Sequence, residues 1–302
     1  MTGSLRSPPP VLVFSVAVLG IAVFSGMDAV MKGLVIAIGT FTTIFWRNLV
    51  GVGMSGALYL AQPTPWPSQS TMRLHVGRGL LSTVMGFLFF WGLARVPLAQ
   101  AIALAFIAPL IALFLAAVLL KETVGGRTVG AGVVAFIGVL VIFVGQAQAD
   151  LGREATVGSL AILASAVCYA LNIILMRQQA QVAGPVEIAF FQSLVVTLVV
   201  AALIPMVGIE LPAAIHWPWL VFAASLAIAS HMLLSWAYAR AEANYLAATE
   251  FTSFLWAALF GWLIFHEALS PYTLAGAALI VAGCILAASK PGEATPRLEA
   301  AT

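Results

Sequence analysis

Long apolar runs separated by short polar joints fill the chain from residue 11 to residue 289. A helix needs about 20 apolar residues to cross a bilayer, so this pattern predicts membrane-spanning helices. We expect ten of them, at residues 11–31, 40–61, 74–94, 97–120, 127–145, 157–177, 186–207, 217–239, 244–265 and 272–289. Residues 1–10 and 290–302 are left as terminal tails. The sequence therefore predicts an all-α integral membrane protein.

The composition excludes most soluble classes of protein. Hydrophobic residues make up 62% of the chain and charged residues 8%, against roughly 25% charged residues in a typical globular protein. The net charge of +2 is too small to indicate a nucleic acid as a partner, whereas the lipid bilayer is a necessary one. Cys168 and Cys284 have no second cysteine or histidine at metal-ligand spacing. We expect no metal and no cofactor.

Positive charges between the predicted spans indicate the orientation of the chain. Cytoplasmic loops are enriched in lysine and arginine, and a cytoplasmic N-terminus places nine such residues inside and three outside, with Arg47 within a span. The inside residues are Arg6, Arg73, Arg78, Lys121, Arg127, Arg177, Arg240, Lys290 and Arg297, and the outside ones are Lys32, Arg95 and Arg153. We therefore predict a multi-pass protein of the cell's inner (plasma) membrane with both termini in the cytoplasm.

A shift of 145 residues aligns the chain with itself without a gap. Matched charges, tryptophans and prolines carry the alignment, because matched alanines and leucines arise by chance in so apolar a chain. The matches are Met31-Lys32 with Met176-Arg177, Phe45 with Phe190, Pro67 with Pro212, Trp91 with Trp236, Arg95 with Arg240, Phe106 with Phe251, Glu122 with Glu267 and Gly138 with Gly283. The repeat divides the chain into two halves, residues 11–145 and residues 156–289.

Each half contains five predicted spans, and an odd number turns the second half upside down relative to the first. Inverted repeats are the sequence signature of alternating-access transporters, whose substrate site lies near the midplane where the halves meet. The predicted fold is therefore ten transmembrane helices in two inverted five-helix repeats around a central cavity. Because the chain has no GxxxxGK[ST] motif for ATP, we expect passive, exchange or ion-coupled transport.

Residues 98–123 and 258–286 carry a resemblance to a known family. In each half the fourth span ends in an acidic residue, Glu122 or Glu267, before a glycine-rich fifth span. This arrangement resembles the EamA-like transporters of the drug/metabolite transporter superfamily, and within them the YddG-type amino-acid exporters, over residues 11–289. The resemblance implies export of amino acids, including aromatic or other apolar ones, or of related small metabolites. We interpret Glu122 and Glu267 as helix-end anchors rather than substrate ligands.

Asp28 and Arg47 are ionisable residues inside predicted spans, where charges are costly and tend to face cavities or partners. Asp28 lies three residues from the outer end of the first span, and Arg47 lies about two turns into the second span from the same side. By depth the two side chains can meet across adjacent helices. Arg47 then forms a structural ion pair, snorkels to the membrane interface, or binds a substrate carboxylate.

His231 and Glu250 form a second pair at matched depth. His231 lies eight residues from the inner end of the eighth span, and Glu250 lies six residues into the ninth span from the same side. Such a pair can exchange a proton with the membrane gradient, which makes protons a candidate partner beside the small-molecule substrate. The alternatives are that Glu250 binds a substrate ammonium, or that the pair is a structural hydrogen bond.

Polar and aromatic residues on spans six to nine complete the predicted substrate-binding set. Thr249, Ser253 and Trp256 recur at helical spacing and share one face of the ninth span. Beside Arg47, His231 and Glu250, the set contains Tyr169, Asn172, Gln192, Ser235, Thr249, Ser253 and Trp256. Polar residues also join helices without touching a substrate, so each of these positions has a structural alternative.

Two other functions compete with transport. An integral-membrane enzyme, such as a lipid-modifying transferase or an intramembrane protease, is disfavoured because the sequence holds no acidic metal cluster, no Cys–His pair and no large polar loop. A structural or sensory subunit needs neither a cavity nor buried charge. Residues 51–56 match the dinucleotide motif GxGxxG and contain the protease pattern GxSG. No soluble βαβ unit surrounds them, and small residues at this spacing are ordinary helix-packing positions.

Overall fold

The computed structural model describes residues 9–62, 66–108, 110–112, 114–115, 126–148, 152–238, 240 and 249–288. These residues form α-helices and one short 3-10 turn at Ala214–His216, without a strand among them. The helices are α1 (Pro10–Ile38), α2 (Thr40–Leu60), α3 (Gln69–Leu93), α4 (Leu98–Ala105), α5 (Gly126–Gln148), α6 (Gly152–Ala180), α7 (Pro185–Val207), α8 (Trp217–Tyr238), α9 (Thr252–Phe265) and α10 (Pro271–Ala288).

Proline and glycine determine where α1 begins and where it ends. Pro10 occupies the first turn of α1, where its missing N–H costs nothing. Gly39, at φ +79°, ends α1 and immediately precedes α2, because only glycine adopts this conformation without a steric penalty. α1 therefore runs to Ile38 instead of ending at residue 31, and Asp28 lies well inside the helix rather than three residues from its end.

Six helical segments are candidate membrane spans by length and composition. They are Val11–Ile38, Gln69–Leu93, Val129–Gln148, Gly152–Met176, Pro185–Val207 and Ala214–Leu234. The predicted spans 97–120 and 244–265 lie partly outside the described residues. Glu122 lies outside them altogether. The fold is thus all-helical with six candidate spans in the described part, and the count of ten spans stays a prediction.

Helices of the first half pack against helices of the second half. The pairs are α1 with α8, α2 with α7, α3 with α6, α4 with α9 and α5 with α10. Exchanging the two halves maps α1–α5 onto α6–α10 in order. The α1–α8 pair then becomes the α3–α6 pair, and each of the other three pairs maps onto itself. The arrangement of contacts is therefore symmetric under exchange of the halves.

Close backbone contacts follow the same symmetry residue by residue. A Cβ atom added to Gly138 would lie 2.6 Å from the carbonyl oxygen of Gly276, and one added to Gly283 would lie 2.7 Å from that of Ala131. The 145-residue shift relates these two contacts, since it takes Gly138 to Gly283 and Ala131 to Gly276. Small residues let helices approach in lipid, where no hydrophobic effect drives them together.

The α3–α6 and α1–α8 pairs show a second instance. A Cβ atom on Gly92 would meet the carbonyl oxygen of Gly158 at 2.5 Å and the side chain of Ile162 at 2.7 Å. The positions 145 residues away from these three are Ala237, Val13 and Ala17, and those residues form one buried cluster. The 145-residue shift found in the sequence thus relates contacts between helices as well as matched residues along the chain.

Candidate functional site

Ionisable side chains from both halves converge on one interior region. Tyr169 on α6 lies within electrostatic range of Asp28 on α1, Arg78 on α3 and Glu250, just before α9. His231 on α8 lies within range of Arg78 and of Arg47 on α2. We call these six residues the polar cluster: Asp28, Arg47, Arg78, Tyr169, His231 and Glu250.

Asp28 and Arg47 interact electrostatically but do not touch. Asp28 is buried, with 2% of its surface exposed, and the charge of Arg47 acts on it. Among the described residues, the ion pairs closer than 4 Å are Lys32–Glu267, His75–Glu187 and Arg95–Glu154. The interaction between Asp28 and Arg47 therefore acts over more than 4 Å instead of through the predicted direct contact.

The guanidinium of Arg47 is only partly satisfied by the protein. Its Nη1 donates to Oδ1 of the neighbouring Asn48 at 3.3 Å, and its Nε is buried without a hydrogen-bond partner among the described atoms. A buried charged donor without a partner costs a few kcal/mol. An anionic group placed beside Arg47 would remove this cost.

Tyr169 is an accessible member of the polar cluster. Its side chain is 41% exposed, although residues of three other segments surround it. Glu250 is exposed as well. Tyr169 and Glu250 are thus accessible side chains that lie among charges from several helices.

His231 contacts its own helix and an aromatic neighbour. Its Nδ1 donates to the carbonyl oxygen of Ala227 at 2.6 Å, and its ring lies edge-on to Phe24 with ring centroids 6.3 Å apart. The other ring nitrogen, Nε2, is then an acceptor in the neutral imidazole. The exposed His231 side chain can therefore receive a proton or a donor at that atom.

The predicted residues on and before α9 lie at different depths. Thr249 is fully buried, whereas the hydroxyl of Ser253 donates to the carbonyl oxygen of Glu250 at 2.6 Å. The indole Nε1 of Trp256 is buried without a partner among the described atoms, and its ring stacks on Phe260 at 6.4 Å. Trp256 thus offers a free donor, while the Ser253 hydroxyl is used within its own chain segment.

Two further predicted residues lie apart from these contacts. Gln192 on α7 is half-buried, and its Oε1 has no hydrogen-bond partner among the described atoms. The side chain of Ser235 lies outside the described part of the structure. Neither residue is joined to the polar cluster by a contact that the structure shows.

Asn172, the remaining predicted residue, belongs to a buried hydrogen-bond chain that joins three helices. Arg78 donates from Nε to Oδ1 of Asn172 at 3.1 Å and from Nη1 to Oε1 of Gln179. The Nε2 of Gln179 lies 2.5 Å from Nδ1 of His75, and the Nε2 of His75 lies 2.9 Å from a carboxylate oxygen of Glu187. This relay connects the start of α7 to the polar cluster through Arg78.

The relay contains the functional candidates that the sequence did not reveal. Charge counting places Arg78 on the cytoplasmic side, and the structure buries its side chain to 7% exposure inside α3. His75, which no pattern in the sequence singles out, is buried to 1%. The role of these two residues is not visible in the sequence, because their partners lie about a hundred residues away, on α6 and α7.

Lys32, which charge counting places on the outer side, lies within α1 and is buried as well. It is 4% exposed, and its ammonium donates to Glu267 and to the carbonyl oxygen of Val96 at 2.6 Å. The second carboxylate oxygen of Glu267 accepts the N–H of Leu98 at 2.7 Å. Glu267 is therefore an anchor, as expected, but one that ties α1, α9 and the joint before α4 together.

The last turn of α9 directs Glu267 toward Lys32. His266 has the left-handed conformation at φ 54° and donates its N–H to Trp262 at 3.2 Å, while Glu267 donates its N–H to Gly261 at 3.0 Å. This left-handed turn closes the end of α9 with backbone hydrogen bonds that span four and six residues. It reverses the chain, and Glu267 Oε2 lies 2.7 Å from the position that a Cβ on Gly261 would take.

The chain matches the model of the EamA-like transporter family twice, at residues 12–144 and 156–289. It is 28% identical over 280 residues to the pseudopaline exporter CntI of Pseudomonas aeruginosa (strain UCBPP-PA14), which covers 91% of this chain and 96% of the relative. It is 25% identical over 242 residues to the riboflavin transporter of Brucella anthropi, covering 78% and 84%. A crystal structure of another protein aligns with a TM-score of 0.60 at 21% identity, covering 92% of this chain and 98% of that one.

The two family matches together cover most of the chain. The chain belongs to the EamA-like transporter family, and its named relatives are transporters rather than enzymes. The crystal structure, at 21% identity, supports the fold alone.

Proposed function

We propose that the protein is a secondary transporter that exports amino acids, aromatic or other apolar ones included, or related small metabolites. The observation that carries this proposal is the polar cluster, in which the accessible ring of Tyr169 lies within range of both acidic and basic side chains. An amino acid presents a carboxylate and an ammonium on neighbouring atoms. A site with both signs of charge around an aromatic ring is complementary to such a molecule.

The charges of the polar cluster assign a role to each end of the substrate. Arg47 and Arg78 are the groups for the carboxylate, since arginine forms paired hydrogen bonds with carboxylates. Glu250 is the group for the ammonium. Tyr169 and Trp256 are the groups for an apolar side chain, and the unpartnered indole N–H of Trp256 adds one donor.

The symmetry of the helix packing supports alternating access. In the proposed architecture, residues 11–145 and 156–289 are inverted five-helix repeats of a ten-helix protein around a central cavity. Contacts that map onto each other under the 145-residue shift are what two equivalent halves require. Exchanging the conformations of two such halves would open the cavity to one side and then to the other.

Labelling of single cysteines tests the proposed orientation in the inner membrane. Cysteines introduced at Gln69 and Lys121 are expected to react with an impermeant reagent only from the cytoplasm, and one at Arg153 only from outside. The physical reason is the excess of lysine and arginine on the cytoplasmic side. Reversed labelling at all three positions would contradict the orientation, and labelling of Gln69 and Arg153 from one side would contradict the alternation of spans.

Counterflow in proteoliposomes tests the substrate class. With a labelled apolar amino acid as the driven substrate, we expect unlabelled amino acid to compete, while its decarboxylated amine and its deaminated acid compete at least about tenfold more weakly. Each analogue leaves one charged group of the site unpaired, a loss of about 1.5–3 kcal/mol. Competition by amine and acid as strong as that of the amino acid would contradict a two-charge site.

Variants measured in the same counterflow experiment test which residue binds the substrate carboxylate and which binds the ammonium. Arg47→Lys is expected to weaken apparent substrate affinity about tenfold or more, whereas Arg95→Lys, at a surface arginine paired with Glu154, is expected to behave as wild type. Glu250→Gln is expected to lower exchange and net export together if Glu250 binds the ammonium. Loss of pH-dependent net export with intact exchange would instead assign proton transfer to Glu250, and His231→Gln should then have the same effect.

A further inference from the structure

The relay from Arg78 to Glu187 has a chemistry that fixes the direction of each hydrogen bond. Arginine can only donate, so the atom of Gln179 that faces Arg78 is the amide oxygen. The atom of Gln179 that faces His75 is then the amide nitrogen, which also only donates. Nδ1 of His75 must therefore accept, and the ring proton of His75 resides on Nε2, directed at Glu187.

This direction forbids one protonation state of His75 while the relay is intact. An imidazolium donates from both ring nitrogens, so its Nδ1–H would face the N–H of Gln179. Turning the Gln179 amide resolves that clash but presents its N–H to Arg78, which has no acceptor. Proton binding at His75 and the hydrogen bond between Arg78 and Gln179 thus exclude each other.

We propose that His75 is a proton-binding site of the transport cycle and that Gln179 couples its proton to the position of Arg78. Uptake of one proton at Nδ1 converts the imidazole to an imidazolium, and the Arg78 guanidinium loses the oxygen of Gln179. Arg78 then keeps only Asn172 of its two partners. Because Arg78 belongs to the polar cluster, the proton on His75 and the carboxylate of the substrate influence each other; this step rests on the proposed transport function.

A few side chains from α6 and α7 surround His75 and are the groups that can affect its protonation. From α7, the Glu187 carboxylate accepts its Nε2–H and Phe191 stacks on its ring at 4.7 Å. From α6, Gln179 faces its Nδ1, and from its own helix Arg78 lies beyond Gln179. Arg177 is also on α6, but its side chain lies outside the described part. Glu187, 13% exposed, is the member of the relay that reaches solvent.

Nuclear magnetic resonance of protein labelled with ¹⁵N-histidine in nanodiscs tests the relay without any substrate. The chain has four histidines, and the signals that disappear in His75→Asn identify His75. We expect neutral His75 to carry its proton on Nε2. A neutral His75 with its proton on Nδ1 would overturn the assigned direction of the relay and with it the proposal.

The variant Gln179→Glu tests whether protonation of His75 is limited by its coupling to Arg78 or by burial of the ring alone. A carboxylate accepts from Arg78 and from an imidazolium Nδ1–H together, so the two states no longer exclude each other. We expect a several-fold larger protonated fraction of His75 at pH 6 than in wild type, together with loss of the pH dependence of counterflow. An unchanged protonated fraction would overturn the coupling. His216→Asn, on the 3-10 turn away from the relay, is the matched control and should leave both readouts unchanged.

The transport readout is the pH profile of counterflow in folded wild type and His75→Asn. In wild type we expect apparent affinity for the amino acid to rise about tenfold as His75 becomes protonated, since the substrate carboxylate then replaces the Gln179 oxygen that Arg78 has lost. In His75→Asn, whose side-chain oxygen can accept from Gln179 and does not titrate, we expect a flat profile. A pH dependence that persists in His75→Asn would overturn the proposal while leaving amino-acid transport established. Failure of transport in all variants would instead contradict the proposed function. The resonance experiment would then still test the direction of the hydrogen bonds in the relay.

Discussion

Replacing Gly138 with alanine is expected to remove most of the folded protein. The added Cβ would lie 2.6 Å from the carbonyl oxygen of Gly276 and 3.0 Å from the backbone nitrogen of Ile280. These are backbone atoms, so no side chain can move aside and α5 must separate from α10. Close packing of small residues is what holds helices together in lipid, so a wider spacing weakens the whole interface.

Gly130→Ala on the same helix is the matched control, because nothing lies within 4 Å of the Cβ it would add. There the alanine is expected to be neutral or stabilising, by up to about 1 kcal/mol, since it restricts the unfolded chain. Gly283→Ala, the repeat mate, should resemble Gly138→Ala. The measurement is the recovery of monodisperse protein after detergent extraction, with the melting temperature of what remains. Equal recovery of Gly138→Ala and Gly130→Ala would contradict the α5–α10 contact.

Breaking the Lys32–Glu267 pair is expected to have the second-largest effect. Lys32→Met leaves the Glu267 carboxylate, 18% exposed, with the Leu98 N–H as its remaining described partner. Removing one member of a buried pair costs about 3–5 kcal/mol, because the other charge stays buried without compensation. The double variant Lys32→Met with Glu267→Gln removes both charges and is expected to recover part of that loss.

The control for this pair is Arg95→Met, which breaks the Arg95–Glu154 ion pair. Glu154 is 79% exposed, and exposed ion pairs contribute little to stability. The measurement is the melting temperature in one detergent, followed by the intrinsic fluorescence of tryptophan. A Lys32→Met protein as stable as Arg95→Met would show that the buried pair does not hold α1 to α9, and a double variant less stable than Lys32→Met would contradict the role assigned to the unpaired charge.

The general fold is readable from the sequence because lipid imposes simple rules on it. Apolar runs of spanning length must be helices, since no water satisfies the backbone inside a bilayer. The 145-residue repeat then relates contacts such as Gly138 with Gly276 and Gly283 with Ala131. Helix ends are less predictable. No change in hydropathy marks the end of α1, which continues to Ile38 and ends where Gly39 adopts a positive φ.

The candidate site is only partly readable for a different reason. Arg47, Tyr169, His231 and Glu250 are found by their depth in apolar runs, where an ionisable group needs an explanation. Arg78 and His75 lie near a span end, where snorkelling to the interface is the ordinary explanation. Their burial depends on Gln179 and Glu187, and a pattern along one helix cannot show what a distant helix places beside it.

The exchange symmetry of the helix pairs makes the contact between the halves an isologous interface within a single chain. In such an interface, residue i of one unit contacts residue j of the other, and j contacts i in return, as Gly138 with Gly276 and Gly283 with Ala131 do. This is the geometry of a two-fold homodimer. Covalent continuity then contributes effective concentration, as any tether between two binding units does. It also lets each copy of an interface residue change on its own. His75 of the first half and Glu187 of the second can therefore form a titratable contact, while their repeat mates, Leu220 and Thr42, carry no titratable group.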